Sequence, residues 1–154
     1  MRLKEREITD RTAIEEIIKR AKVCRLGLCD GGKPYIIPMN FGYKYGCFFL
    51  HSAKAGRKLE LLAANDRVCI EIDLDIKPLP NDKPCDWGFA YKSVVAKGRA
   101  KFLSDPNEKL SGLKVIVTQQ TGKGEGWELT DDDAAQVEVF RVDVEELTGK
   151  QAEG

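Results

Sequence analysis

Residues 51–58 read His51-Ser52-Ala53-Lys54-Ala55-Gly56-Arg57-Lys58, and they connect a predicted strand to a predicted helix. Backbone N–H groups at the start of a helix have no partner within the helix, so they attract an anion. Ser52 adds a hydroxyl donor, Arg57 and Lys58 add positive charge, and Gly56 lets the backbone approach a ligand closely. The pattern favours a phosphate-binding turn, although a solvated basic turn accounts for these residues equally well.

The residues before this turn alternate between apolar and polar side chains, which is typical of strands. Residues 24–28 and 35–42 are predicted to form a hairpin around the turn Asp30-Gly31-Gly32. The turn Tyr45-Gly46 then leads into a third strand over residues 47–51. The chain therefore reaches the basic turn through three consecutive antiparallel strands.

The residues after the turn predict three more strands, over 68–75, 91–103 and 137–144. Gly98 lies inside the long middle one and indicates a bulge or kink. Residues 76–86 hold three of the six prolines and are predicted to be a loop, as are the Gly- and Asp-rich residues 122–136.

Three helices are predicted beside these strands. The first covers residues 9–21, where Thr12 and Glu15 have the spacing of a capping box. A short helix follows the basic turn. The third begins at Asp105-Pro106, an N-cap and a first-turn proline, and runs to Gly122.

This order of elements predicts a mainly β protein with flanking helices, built as a six-stranded antiparallel barrel. The length of 154 residues fits one domain over residues 1–154. The polar end of the chain, from about Thr148, is predicted to fray.

Composition excludes some classes of function. Lysine plus arginine and aspartate plus glutamate both number 25, so the net charge is zero and nothing favours binding to nucleic acid or to an acidic membrane surface. No apolar run approaches the ~20 residues that cross a bilayer. The charged start, Met1 to Asp10, lacks the apolar stretch of a signal peptide, which predicts a cytoplasmic location.

The sequence has five cysteines, an odd number, and no C-x-x-C pair. Most lie in or beside apolar runs, which predicts reduced thiols acting as small hydrophobic residues, with a metal or redox role as the alternative. His51 is the only histidine, and no zinc-ligand spacing is present, so we predict no metal site.

Three segments carry a resemblance to a known family. They are Ile36-Ile37-Pro38-Met39-Asn40-Phe41-Gly42-Tyr43, Phe48-Phe49-Leu50 together with the turn that follows, and Tyr91-Lys92-Ser93-Val94-Val95-Ala96-Lys97-Gly98-Arg99-Ala100. They resemble the flavin-contacting segments of the pyridoxamine 5′-phosphate oxidase-like superfamily. The nitroimidazole-resistance branch is the most similar, since it shares the helix entry at residues 6–10 and the strand Arg25-Leu26-Gly27-Leu28. The resemblance implies an FMN-binding split β-barrel.

The resemblance also implies roles for individual residues. Ser52, Arg57 and Lys58 match residues that bind the FMN phosphate. The strand Pro38-Met39-Asn40 would offer backbone groups to the polar edge of the isoalloxazine ring, and Ser93, followed by Val94, would touch the ring. His51 would lie beside the flavin as the candidate proton donor in catalysis, with a structural role as the alternative.

The resemblance further implies a homodimer with FMN between the subunits and a small-molecule substrate. Trp87 or Trp127 of the partner could cover the flavin, or could simply be core or interface residues. The expected function is an FMN-dependent oxidoreductase that reduces small electrophiles such as nitroaromatic compounds. Pyridoxamine phosphate oxidation is not expected, because residues 137–146 lack the basic motif of the true oxidases. A flavin- or haem-binding module without turnover, or a structural barrel with an empty site, are the alternatives.

Overall fold

A single antiparallel sheet forms the centre of the protein, as seen in a computed structural model that describes residues 3–124 and 126–153. The predicted domain of residues 1–154 also includes Met1, Arg2, Glu125 and Gly154, which lie outside the described residues. The strands are β1 (Glu7–Ile8), β2 (Val23–Asp30), β3 (Lys33–Asn40), β4 (Gly42–Lys44), β5 (Cys47–Ser52), β6 (Arg67–Leu79), β7 (Gly88–Phe102) and β8 (Glu138–Ala152). The helices are α1 (Arg11–Arg20), α2 (Arg57–Ala64), α3 (Pro106–Thr121) and α4 (Asp131–Ala135).

The strands follow the order β3-β2-β6-β7-β8-β5-β4, and β1 pairs with β8. The predicted fold class, mainly antiparallel β with flanking helices in a barrel-like sheet, is confirmed. The sheet has eight strands rather than the six predicted. The second predicted strand breaks at Phe41, so that β4 pairs with β5 instead of continuing the hairpin with β2, and the two-residue β1 adds the eighth.

The β2–β3 hairpin forms around the predicted turn, where Gly31 and Gly32 have φ angles of 55° and 90°. Both angles lie in the left-handed region that glycine adopts without steric cost. This turn fixes the register in which Arg25 faces Pro38 and Gly27 faces Ile36.

The helix starts partly follow prediction. Asp105 caps α3 by accepting hydrogen bonds from the backbone N–H groups of Asn107 and Glu108. Asp10, rather than Thr12, caps α1, because its carboxylate accepts from the backbone N–H of Thr12. Glu15 does not close a capping box, since its carboxylate binds Arg11 and the hydroxyl of Tyr43 instead.

Strands β6 and β8 are longer than predicted. β6 continues through Pro78 to Leu79 and pairs with the start of β7, so part of the predicted loop is strand. The prediction that the chain frays from Thr148 is wrong, because β8 pairs with β7 as far as Ala152 and with β1 at Gly149 and Lys150. These polar residues become strand by pairing with distant segments rather than by local propensity.

Apolar side chains form two clusters on opposite sides of β5 and β8. The main cluster fills the barrel around the fully buried Phe41, Phe48 and Phe140. The second lies between α3 and the outer face of the sheet and includes Leu113 and Val139. β5 therefore has packed side chains on both faces, which fixes the position of the turn that follows it.

Gly98 lies at a bulge between β7 and β8, as predicted. The register shifts there, so that Lys97 faces Glu146 and Gly98 faces Val144. A Cβ atom on Gly98 would lie 2.1 Å from the backbone oxygen of Asp143, which is far inside contact distance. The two strands approach this closely because residue 98 has no side chain.

Candidate functional site

The basic turn over residues 51–58 connects the end of β5 to the start of α2. Gly56 occupies the N-cap of α2 with a φ of 134°, and no side chain caps this helix. The other three α-helices of the described chain are capped by Asp10, Asp105 and Thr130. The backbone N–H groups at the start of α2 are therefore available to an anion.

The guanidinium of Arg57 pairs with two carboxylates that were not predicted. One is Asp30, at the end of β2, and the other is Glu60, at 3.2 Å on the next turn of α2. The side chain of Arg57 remains 52% exposed. The i, i+3 spacing could have indicated Glu60, whereas only the fold brings Asp30 to this position.

His51 is half-buried, and its Nδ1 atom is buried without a hydrogen-bond partner among the residues that the structure describes. Burial lowers the pKa of His51 below its ordinary value, and the nearby charge of Lys58 lowers that pKa further. The imidazole is therefore uncharged at neutral pH. An anion bound at the turn would offset the effect of Lys58 and raise the pKa of His51.

Because His51 is the only histidine, its titration can be followed without ambiguity. We expect an NMR titration of the imidazole to give a pKa below 6.5, the ordinary value. Lys58→Gln should raise the pKa of His51, since it removes the nearby positive charge, while burial keeps it below 6.5. The control Lys54→Gln removes a charge from the same turn and should leave the pKa of His51 unchanged. A wild-type pKa at or above 6.5 would contradict this description of the site.

Ser52 is 7% exposed, and its hydroxyl donates a hydrogen bond to the backbone oxygen of Ala53 at 2.8 Å. The hydroxyl hydrogen has to turn away from Ala53, by rotation about the Cβ–Oγ bond, before it can donate to a ligand at the turn. Lys58 is half-buried and lies close enough to His51 to affect its pKa. The structure thus places His51 and Ser52 at the end of β5 and Arg57 and Lys58 in the first turn of α2, with Lys58 near His51.

The predicted ring-binding segment lies on β3. Pro38 and Asn40 are exposed, whereas Met39 is buried with its side chain in the barrel core. β3 is the first strand in the sheet order and pairs with β2 alone among the described strands. Its other backbone edge is therefore open to a ligand, which is what the predicted backbone contacts with a flavin require.

The second predicted ring-binding segment lies on β7. Ser93 is half-buried, and its hydroxyl is 3.5 Å from the backbone oxygen of Lys150, while Val94 is buried in the barrel core. Both backbone edges of this segment are paired, with β6 and with β8. β2 and β6 separate it from β3 in the sheet order, so the fold does not bring Ser93 next to Pro38 through strand pairing.

A cleft of about 410 Å³ borders the basic turn at Lys54. Its other walls come from Ser104 just before α3, from Lys109 in the first part of α3, and from Asp131 and Asp132 of α4. Nothing in the sequence connects Ser104 or Lys109 with the turn, because they are distant in the chain and carry no motif.

The cysteines differ from their predicted role as small hydrophobic residues. All five are free, but Cys24 alone is fully buried, and burial raises the pKa of its thiol to about 12. Cys29, Cys69 and Cys85 are exposed. Successive side chains of a strand point to opposite faces of the sheet. A cysteine whose apolar neighbours in sequence are buried can therefore face solvent.

Comparisons with known proteins identify the family. The family model for pyridoxamine 5′-phosphate oxidase matches residues 10–151. No curated protein sequence matches this chain. Across the described residues, none of the helices has the length and apolar character needed to cross a membrane.

Solved structures with the same fold include three informative ones. A candidate 5-nitroimidazole antibiotic resistance protein from Bacteroides thetaiotaomicron is 34% identical, with a TM-score of 0.83 over 94% of this chain and 85% of that chain. The flavocytochrome Anf3 from Azotobacter vinelandii is 18% identical, with a TM-score of 0.85 over 100% of this chain and 72% of that one. An FAD- and haem-binding protein from Mycobacterium smegmatis is 16% identical, with a TM-score of 0.86 over 97% and 74%. At those two lower identities the likeness shows the fold alone.

By its match over residues 10–151, this chain belongs to the pyridoxamine 5′-phosphate oxidase family.

Proposed function

We propose that this chain is a cytoplasmic, homodimeric flavoprotein that binds FMN and reduces small electrophiles such as nitroaromatic compounds. The observation that carries the proposal is the basic turn between β5 and α2. It combines an uncapped helix start with Ser52, Arg57 and Lys58 in a chain of zero net charge. The 34% identity to a candidate 5-nitroimidazole resistance protein supports the substrate class.

The residues of the turn fit a phosphate chemically. Arg57 and Lys58 supply the charge-assisted donors that phosphate oxygens accept, and the start of α2 supplies backbone N–H groups. In the proposed complex the phosphate competes with Asp30 and Glu60 for the guanidinium of Arg57. Because that guanidinium is half exposed, this exchange requires little rearrangement.

The positions of the ring-binding candidates support a site shared between two subunits. Pro38 and Asn40 on β3 are separated from Ser93 on β7 by two intervening strands. A flavin that contacts both segments is accommodated more readily when they come from different copies of the chain. FMN supplies the electron-carrying ring in such a site, while the protein binds and orients it.

Exposed apolar side chains on the outer face of the sheet support the dimer. Val23 and Ile36 on the β2–β3 hairpin are 49% and 67% exposed. A second group lies near the β6–β7 connection, where Ile76, Trp87 and Phe89 are each more than half exposed. These two groups are the candidate dimer surface, because apolar patches exposed on a protein mark sites of protein–protein contact. Trp127 is also exposed, so neither tryptophan is a core residue of this protomer.

His51 is proposed to supply a proton beside the bound flavin. Its lowered pKa keeps the imidazole neutral in the protein without ligand, and a phosphate at the turn would raise that pKa toward neutrality. The five free cysteines accord with a reducing compartment, which supports the cytoplasmic location.

The test begins with ligand binding to the purified chain. We expect FMN to bind on the order of 100-fold more tightly than riboflavin, because riboflavin lacks the phosphate and loses about 3 kcal/mol of charge-assisted contacts. Flavin fluorescence titration measures both affinities, and light scattering measures the mass of the complex. Equal affinity for FMN and riboflavin, or a monomeric FMN complex, would contradict the proposed site.

Turnover is tested next, with the FMN-loaded protein under anaerobic conditions. NADH or NADPH is supplied with a 5-nitroimidazole, and the control is the same imidazole without the nitro group. With the 5-nitroimidazole we expect loss of the nitro chromophore together with oxidation of NADH or NADPH, and with the control imidazole we expect no oxidation of NADH or NADPH beyond the background rate. Flavin that binds but is never reduced would favour the non-catalytic binding module, and a protein that binds no flavin would favour the structural barrel.

A further inference from the structure

A second cleft lies on the side of α3 that faces α1 and the β4–β5 hairpin. Its volume is about 740 Å³, which suits one small organic molecule. The wall formed by α3 uses Ser111, Lys114, Val115, Thr118 and Gln119. This i, i+3, i+4 spacing is one continuous face of the helix. We refer to it as the α3 cleft.

Four lysines surround the α3 cleft: Lys19, Lys22, Lys44 and Lys114. They come from three separate parts of the fold, and none of the described lining residues is acidic. Glu16 on α1 pairs with Lys19, and Glu15 binds Arg11 and Tyr43. The positive charge of the cleft therefore comes from Lys22, Lys44 and Lys114, none of which pairs with a carboxylate among the described residues. In a chain with equal numbers of acidic and basic residues, this cleft is a local concentration of positive charge.

Aromatic side chains supply the apolar part of the lining. Tyr43 and Phe49 are half-buried, and Phe49 packs against α3. Tyr45 is 84% exposed at the tip of the β4–β5 hairpin, where its φ of 56° lies in the left-handed region. The ammonium group of Lys44 lies 4.8 Å from the centre of the Tyr45 ring. Rings and ammonium groups thus border the same space.

Side-chain amides fix the walls of the cleft relative to one another. Gln119 donates to the backbone oxygens of Ile18 and Ala21 and accepts from the backbone N–H of Tyr43. The neighbouring Gln120 donates to the backbone oxygens of Lys22 and Phe41. These bonds tie α3 to α1 and to β4, so the cleft exists before any ligand binds.

We propose that the α3 cleft binds a small planar aromatic anion, such as an aromatic carboxylate, with its ring against Tyr45 and Phe49 and its charged group beside Lys44 and Lys114. This site is separate from the basic turn, whose residues do not line it. The rings provide apolar contact and the lysines provide charge-assisted hydrogen bonds. A neutral molecule of the same shape gains the apolar contact with the rings but not the charge-assisted hydrogen bonds with the lysines.

The test uses a matched pair of probes, 2-naphthoate and 2-naphthamide, with the full-length protein in isothermal titration calorimetry. We expect 2-naphthoate to bind about tenfold more tightly than 2-naphthamide. Lys44→Gln with Lys114→Gln should remove that preference. The control Lys77→Gln with Lys101→Gln removes two exposed lysines elsewhere and should leave it intact. Tyr45→Asn keeps a residue that tolerates positive φ and should weaken both probes.

A further variant distinguishes the α3 cleft from the proposed flavin site. Arg57→Ala with Lys58→Ala should leave 2-naphthoate binding unchanged, whatever its effect on FMN. Loss of 2-naphthoate binding in that variant would place the probe at the basic turn and overturn the proposal. Absence of 2-naphthoate binding, equal affinity for the two probes, or a preference that persists in the Lys44→Gln, Lys114→Gln variant would also overturn it.

Discussion

Changing Arg57 and Lys58 together to alanine is expected to weaken FMN binding on the order of 100-fold, so that the variant purifies without flavin. Both residues lie in the first turn of the uncapped α2, and Lys58 is close enough to His51 to lower its pKa. Two charge-assisted contacts with a phosphate contribute about 3 kcal/mol together, which corresponds to that loss in affinity. Flavin fluorescence titration of the purified variant measures the effect directly.

The double variant should remain folded, because Arg57 makes only exposed ion pairs with Asp30 and Glu60. Pairs of this kind contribute about 1 kcal/mol or less. The control changes Lys77 and Lys101 to alanine, two exposed lysines far along the chain from the turn, and should bind FMN like the wild type. Asp30→Asn should bind FMN at least as tightly as the wild type, since it removes a competitor for Arg57. A double variant that stays fully loaded with flavin would refute the assignment of the turn.

Gly98→Ala is expected to cause a large loss of stability for so small a change in side-chain volume. The added Cβ would lie 2.1 Å from the backbone oxygen of Asp143 and 3.2 Å from the Cα of Val144. The clash involves backbone on the neighbouring strand, so relief requires β7 and β8 to separate at the bulge. We expect a cost of about 3 kcal/mol, a large part of the roughly 5–15 kcal/mol that stabilises a typical domain.

Urea denaturation followed by circular dichroism measures the cost. The matched control is Gly88→Ala, at the start of the same strand, where an added Cβ meets nothing within 4 Å. That substitution is expected to be neutral or slightly stabilising, because alanine reduces the entropy of the unfolded chain. If the two variants unfold at the same urea concentration, the described bulge geometry at Gly98 is wrong.

The elements predicted correctly from the sequence are those whose signals are local. The turn Asp30-Gly31-Gly32 and the cap at Asp105 depend on residues a few positions apart, and both form as predicted. Gly98 also marked its bulge, because a glycine inside a strand pattern is typical of a bulge or of a close approach between backbones. The connection from β5 to α2 over residues 51–58 was predicted for the same reason, since it is contiguous in sequence, while its binding role stays a prediction.

The features missed are those that depend on distant partners. Nothing in the polar residues 148–152 indicates a strand, which forms there because β1 and β7 lie on either side. The ion pair between Asp30 and Arg57 joins two elements that the local pattern treats separately. The lysines of the α3 cleft belong to no motif, because they come together only after α1, α3 and the β4–β5 hairpin have packed. Local patterns in a sequence carry little information about such contacts across the fold.

The position of β8 between β7 and β5 has a kinetic consequence. Along the described sheet, β4 and β5 join the other strands through β8 alone. Cys47 and Asp143, which face each other across that junction, are 96 positions apart in the chain. Closing so long a loop before its contacts form is typical of domains that fold in about milliseconds to seconds. During that interval β5 has no strand partner beyond β4, so refolding followed by flavin uptake should show a delay that added FMN does not shorten.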